Sequence, residues 1–311
     1  MKTVEEVQQI VTKILKEIGK VVVGQDEVLK QMLIAVLTDN HALLEGAPGL
    51  AKTLSVKTIA QLMDLKFSRI QGTPDLMPSD ITGTYLLDEK AGKKEFRFEP
   101  GPVFANIVLF DEINRAVPRT QSALLEAMQE HQVTVGKQTF KLEPPFFVLA
   151  TQNPIEQEGV NYLPEAQADR FLFKIRTDYP SFAEELEIIN KYTEGTEPAK
   201  LTPLIKKEHL FSMQELVREV PVANDLKKYV VDIVNASRNK KDLIEVGASP
   251  RASIGMILAG KAHALLAGRK YVSKEDINAV ALPILRHRII LSFEAERNNL
   301  KEDDVIKRLL R

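Results

Sequence analysis

Apolar positions in the first 180 residues gather into short runs: Ala42 to Leu44, Lys66 to Gln71, Ile107 to Phe110, Phe146 to Thr151 and Phe171 to Arg176. Helical patterns fill the intervals between them. Apolar runs that alternate with helices describe strands buried on both faces, so this region is expected to be α/β, with a parallel sheet covered on each side. Two stretches depart from that plan. Leu86 to Phe104 contains Asp88-Glu89-Lys90-Ala91-Gly92 followed by alternating Phe96, Arg97, Phe98, and Val133 to Phe140 alternates on both sides of Gly136-Lys137. Both predict β-hairpins. They serve either as surface decoration or as contacts for a substrate or partner, because loops on a rigid scaffold often carry that work.

After Pro180 the pattern becomes helical. Ser181 with Glu184, Ser212 with Glu215 and Ser273 with Asp276 have capping-box spacing. Helices are expected at Phe182 to Thr193, Ser212 to Glu219, Asn224 to Arg238, Arg251 to Leu266, Lys274 to Arg286 and near the C-terminus. Glycine, two prolines and threonines break the periodicity between Thr193 and Pro203, which sets an expected division into a sheet domain, residues 1–195, and an all-helical domain, residues 196–311. A length of 311 residues allows each a proper core.

Composition narrows the function only by exclusion. With 42 basic and 43 acidic residues the chain carries a formal charge of −1, so no broad field favours nucleic acid or a membrane surface. It has no cysteine, which removes disulfides, thiolate metal sites and cysteine nucleophiles. No apolar run approaches the roughly 20 residues needed to span a bilayer. Met1 to Leu15 is amphipathic with acidic residues, unlike a signal or transit peptide, and a cytoplasmic location is expected. The five histidines lack ligand spacing.

The chemistry begins at Gly46-Ala47-Pro48-Gly49-Leu50-Ala51-Lys52-Thr53, which follows the first apolar run and opens a helix-compatible stretch. A tight turn between a strand end and a helix N-terminus aims several N–H groups at one point, where the helix dipole also favours negative charge. Polyphosphate fits there, with Lys52 on the β and γ phosphates and the Thr53 hydroxyl on a bridging magnesium ion. The usual motif has glycine before the lysine. Ala51 holds that position, and its methyl group is tolerable where the local φ is negative. A second element is Ile107-Val108-Leu109-Phe110-Asp111-Glu112, an apolar strand ending in two carboxylates. At the C-terminal tip of a strand beside the phosphate loop, Asp111 would hold magnesium and Glu112 would polarise an attacking water. Together they make the chain a candidate nucleoside triphosphatase.

Five segments carry a closer resemblance: Gly46 to Thr53, Phe110 to Ala116, Leu124 to Glu130, Ala150-Thr151-Gln152-Asn153-Pro154, and Leu163 to Phe171. In that order they resemble the MoxR family of AAA+ ATPases, and the similarity runs from about Val23 to the C-terminus. Alanine before the P-loop lysine is usual in that family. The resemblance implies a P-loop αβα sandwich with a five-stranded parallel sheet, hairpin inserts and a small helical lid. It also implies ATP and ADP as ligands with Mg2+, and a ring, usually a hexamer, that holds nucleotide between subunits.

Residue roles follow by matching position. Asn153 resembles sensor 1, beside its alternative as an Asn-Pro turn. Arg170 resembles the arginine finger acting on the neighbouring subunit, beside an ion pair with Asp169 or Glu165. Arg251 resembles sensor 2, expected to touch the nucleotide of its own subunit, beside a capping or surface role. Val23 and Gly24 resemble the loop lining the adenine pocket, beside an ordinary turn. Arg115 and Arg119 are equally explained as facing a neighbouring subunit or as solvated positions. MoxR proteins imply ATP-driven remodelling, maturation or metal-cofactor assembly of a protein client, often with partners bearing von Willebrand factor A domains. Two other classes stand beside it: a nucleic-acid motor or loader, against which Val133 to Phe140 offers Lys137 as its one positive charge, and an ATP-dependent scaffold with little turnover.

Overall fold

The computed structural model describes residues 3–47, 49–90, 93–153, 161–193 and 200–310. Along the chain, β1 (Ala42–Gly46) and β2 (Phe67–Gln71) precede a hairpin, β3 (Gly83–Lys90) and β4 (Lys93–Pro100). Next come β5 (Ile107–Asp111), a second hairpin, β6 (Gln132–Val135) and β7 (Gln138–Lys141), then β8 (Phe147–Gln152) and β9 (Phe173–Thr177). Five of these strands form one parallel sheet in the order β2-β5-β8-β1-β9. Each corresponds to one of the five apolar runs.

Side chains of these strands divide between two cores with the period of two that a strand imposes. Ala42, Leu44, Ile107, Leu109, Phe147 and Leu149 face a core that includes α1 (Val4–Gly19), α2 (Asp26–Leu37) and α3 (Lys52–Leu62). Leu43, Val108, Phe110, Val148 and Ala150 face the opposite core, which holds Ile81 of α4 (Pro78–Thr82) and Leu124, Leu125 and Met128 of α5 (Pro118–Glu130). Burial on both faces is why β1, β5 and β8 read as continuous apolar runs, whereas the edge strands β2 and β9 carry polar residues. A short helix, α6 (Glu165–Ala168), leads into β9.

Both expected hairpins form, and they pack on each other. Phe98 stacks on Phe140 with ring centroids 4.1 Å apart, and the Tyr85 hydroxyl donates to Gln138 Oε1 at 2.7 Å. That contact leaves Leu86, Leu87 and Phe96 exposed on the first hairpin.

The remainder is helical: α7 (Phe182–Thr193), α8 (Lys207–Glu219), α9 (Asn224–Asn239), α10 (Pro250–Leu266), α11 (Lys274–Leu285), α12 (Phe293–Arg297) and α13 (Glu302–Leu309). One short antiparallel pair, β10 (Ile244–Val246) with β11 (Ile290–Leu291), interrupts it. Two or three residues are too few to show strand periodicity in sequence. The Ser181–Glu184 and Ser273–Asp276 caps form. The Ser212–Glu215 cap does not: α8 starts at Lys207, and Ser212 sits inside it with its hydroxyl donating to the Glu208 carbonyl at 3.1 Å. The earlier start is fixed by burial of Leu210 and by the Lys206 N–H donating to His209 Nδ1 at 3.2 Å.

The lid is not an appendage with its own isolated core. Val230, Ile233, Met256, Ile277, Ile284 and Leu309 belong to the same apolar cluster as one face of the sheet. The expected boundary between residues 195 and 196 lies outside the described residues. Among the described residues no helix is long and apolar enough to cross a membrane.

Candidate nucleotide-binding site

Strand order brings the polar tips of β2, β5 and β8 side by side at the C-terminal edge of the sheet, next to the loop that joins β1 to α3. A cavity of about 460 Å³ opens there, lined by residues 49–54, Arg69, Asp111, Glu112, Thr151 and Asn153. Lys52, Thr53, Asp111, Glu112 and Asn153, selected from separate segments of sequence, therefore share one site. Pro48 and the Asn153-Pro154 turn partner lie outside the described residues.

The β1–α3 loop turns by left-handed backbone at Gly49 (φ +83°) and Ala51 (φ +53°). The condition under which the Ala51 methyl group is tolerated without strain, a negative φ, is therefore not met. Ala51 caps α3, and the chain must reverse there for the first turn of the helix to face the cavity. A Cβ in that conformation costs about 1 kcal/mol relative to glycine. The Lys52 ammonium donates to the Gly46 carbonyl at 2.5 Å. Burial pushes its pKa down, and the carboxylates of Asp111 and Glu112 oppose that push.

Asp111 and Glu112 are held differently. Asp111 accepts from the Thr151 hydroxyl at 2.6 Å and from Arg69 at 2.7 Å. Glu112 takes a left-handed backbone (φ +55°), an uncommon conformation of the kind that concentrates at functional sites. Its N–H donates to Thr151 Oγ1 at 2.8 Å, and its carboxylate accepts from Gln71 at 2.9 Å and Arg115 at 3.1 Å. The turn is also confined by Gly72, whose N–H donates to the Asp111 carbonyl at 2.7 Å. Arg115 therefore bonds the candidate base; Arg119 is exposed.

Arg69, Gln71, Gly72 and Thr151 were not singled out from sequence. Arg69 and Gln71 sit at the tip of a recognised strand, and the signal that would have marked them is adjacency of β2 to β5, since ligands bind beyond the carboxyl ends of such strands.

Magnesium is tested by the donor set. Thr53 offers a hydroxyl and Asp111 a carboxylate in the same cavity, and no cluster of three or more His, Cys, Asp or Glu forms a cation cage among the described residues. That set fits an ion completed by phosphate oxygens and water, which is how Mg2+ is commonly bound.

Arg170 and Arg251 line a different cleft of about 180 Å³, together with Asp169 and Arg288. Arg170 donates to the Leu125 carbonyl at 3.0 Å. Its alternative partner Asp169 is engaged instead by Arg288 at 2.7 Å and Arg251 at 3.3 Å. Arg251 stands in the first turn of α10, where its N–H donates to Ser249 Oγ at 3.2 Å. It does not line the P-loop cavity, to which no lid residue contributes among the described residues. Val23 and Gly24 also lie outside that cavity; α7 covers their loop, with Tyr192 donating to the Val21 carbonyl at 2.8 Å and Lys191 to the Gly19 carbonyl at 3.1 Å.

Comparison with known proteins agrees with this architecture. Residues 41–173 match the ATPase family associated with various cellular activities (AAA), and residues 236–309 match the AAA lid domain. The chain is 47% identical to the chaperone MoxR1 of Mycobacterium tuberculosis over 302 residues, covering 94% of this chain and 79% of that protein. It is 31% identical to protein MoxR of Paracoccus denitrificans, covering 90% and 89% of the two chains. A crystal structure from Cytophaga hutchinsonii superposes with a TM-score of 0.92 at 43% identity, over 99% of this chain and 95% of the other. With a P-loop, an acidic strand tip and a helical lid in one architecture, and relatives of this closeness along nearly its whole length, the chain belongs to the MoxR family of AAA+ ATPases.

Proposed function

We propose that this ATPase uses hydrolysis of ATP to ADP and phosphate for chaperone-like remodelling or maturation of a protein client. It works as a ring, taken to be a hexamer, in the cytoplasm. Lys52 and the loop N–H groups bind the polyphosphate, and Thr53 and Asp111 hold Mg2+, which neutralises phosphate charge when bound. Glu112 takes up a proton from the attacking water, and Asn153 orients that water or the γ phosphate. Arg170 offsets developing charge at the site of the neighbouring copy, and Arg251, which lines the same cleft, acts there with it rather than in its own subunit. The name chaperone belongs to the MoxR1 relative, and the exposed Leu86, Leu87 and Phe96 of the first hairpin supply an apolar surface for a client, as a partner with a von Willebrand factor A domain would require.

The observation that carries this reading is the segregation of the candidate site residues. Lys52, Thr53, Asp111, Glu112 and Asn153 line one cavity, whereas Arg170 and Arg251 line another. Two such half-sites on one chain are satisfied by a head-to-tail ring, in which each cavity meets the next copy's arginine cleft. Glu112→Gln is expected to retain ATP and lose turnover, and Arg170→Ala to lose turnover while binding ATP. Steady-state hydrolysis across protein concentration checks the trans arrangement. Turnover per subunit that stays constant down to purified monomer refutes it, and Glu112→Gln turnover near that of the unaltered protein refutes the base.

A further inference from the structure

The segment 169–172 lies between α6 and β9 and its N–H groups bond within the sheet domain, yet the Asp169 carboxylate and the carbonyls of Asp169, Phe171 and Leu172 are bonded by the lid. Asp169 receives Ser249 Oγ at 3.0 and 2.9 Å on its two carboxylate oxygens, Arg251 at 3.3 Å and Arg288 Nε at 2.7 Å. Arg288 also donates to the backbone carbonyls of Asp169 at 3.0 Å, Phe171 at 2.5 Å and Leu172 at 3.0 Å, and His287 Nε2 donates to the Phe171 carbonyl at 3.0 Å. Arg288 is 8% exposed. The residues immediately before and after Arg170 are therefore both fastened to one buried lid side chain, while the Arg170 guanidinium leaves the cluster and donates to Leu125.

We propose that Asp169 and Arg288 position Arg170, forming the joint through which the lid of one subunit sets the pose of the arginine presented to the next. The inference rests on the trans role of Arg170 given above. A buried ion pair is poor evidence for stability, since apolar residues of similar volume commonly hold a fold as well or better. What this pair supplies is direction. A guanidinium that donates to Asp169, Phe171 and Leu172 while also holding the Ile284 carbonyl of its own lid at 2.6 Å fixes that segment in angle as well as distance, as no apolar contact does. Among the described residues no lid side chain lines the P-loop cavity, although His287, Ile290 and Glu302 line a neighbouring one with Asn153, and it is segment 169–172 that ties the lid to the arginine itself.

The test uses the full chain as Asp169→Asn and as Arg288→Lys, the second retaining the charge while losing the fork. Binding of a fluorescent ATP analogue is expected to stay within about twofold, while turnover falls about tenfold or more because the arginine is misplaced. Each variant is then mixed one to one with Glu112→Gln, which lacks its own base but presents an unaltered Arg170 face. In a head-to-tail ring about a quarter of sites then join an intact base to an intact face, and turnover recovers toward that fraction. Arg170→Ala mixed with Glu112→Gln is the reference. If the reference recovers and the Asp169 and Arg288 mixtures do not, the positioning role is overturned. Loss of ATP-analogue binding in both variants overturns it as well, by making the pair part of the fold. A reference that fails to recover overturns the trans role of Arg170 itself.

Discussion

Gly72 offers a way to disturb catalysis without altering any side chain that holds nucleotide or magnesium. A Cβ built on it lies 2.1 Å from the Glu112 carbonyl oxygen, 2.8 Å from the Glu112 carbonyl carbon and 3.0 Å from the Asp111 carbonyl oxygen. All three are backbone atoms, so no side-chain rotation relieves the overlap. Restoring ordinary contact needs about 1 Å of movement at the β2 or β5 tip. Gly72 is tied to Asp111 by a 2.7 Å hydrogen bond, and Thr151 and Gln71 hold Glu112, so the shift falls on the turn that presents the carboxylate. A misplacement of that size costs about 100-fold in rate, or roughly 3 kcal/mol in the barrier. Gly72→Ala is therefore expected to lower turnover about 100-fold, to leave ATP-analogue affinity within about twofold, and to cost about 1–3 kcal/mol of stability by overpacking. The assay combines steady-state hydrolysis, equilibrium binding and a thermal melt. Gly19→Ala serves as control, because nothing lies within 4 Å of its built Cβ. Turnover within about threefold of the unaltered protein, with an unshifted melt, refutes the rigid-turn argument.

Further expectations concern stability. Ala51→Gly removes a left-handed alanine and raises the melting midpoint by a few degrees at most, since about 1 kcal/mol of relief is partly offset by unfolded-chain entropy; a lower midpoint contradicts the φ assignment. His41 is buried, accepting from the Val148 N–H at 3.1 Å and donating through Nε2 to the Met128 carbonyl at 3.0 Å, and burial lowers its pKa from 6.5 to about 4. The unfolded state binds the extra proton, so this contribution is full above pH 6.5 and is lost as pH falls through 4, roughly 3 kcal/mol in all. His41→Gln should flatten the fall in melting midpoint across that window, and an unchanged slope refutes the assignment. In the lid, wholly buried Asp276 accepts from Arg269, His263 and the Ser273 N–H. Asp276→Asn leaves Arg269 uncompensated and should cost about 2–3 kcal/mol, read as an earlier denaturant midpoint. A midpoint within error of the parent refutes it.

Local physics left a clear record in the chain. Strands buried on two faces are apolar throughout, which marked β1, β5 and β8, while the edge strands β2 and β9 were legible as β-type runs carrying Arg69, Gln71, Lys174 and Arg176. Ser-x-x-Glu and Ser-x-x-Asp spacings identified helix starts at Ser181 and Ser273, and misled at Ser212, where burial of Leu210 carried α8 further back. The phosphate loop and the Asp111-Glu112 tip were legible because each is a contiguous segment whose chemistry is fixed by residue type.

Tertiary structure decided everything that depends on which segments become neighbours. Strand order set Gln71 and Arg69 against Glu112 and Asp111, 41 and 42 residues away in sequence, and a left-handed turn at Ala51 aimed the helix at them. Packing of the lid on segment 169–172 gave Asp169 to Arg288 and set Arg251 in the cleft that Arg170 also lines. Sequence alone specifies which groups are able to do chemistry, because that is a property of single side chains and short backbone segments. Distance, strain and shared burial between remote segments arise only when the chain closes on itself, and those relations set which groups act together.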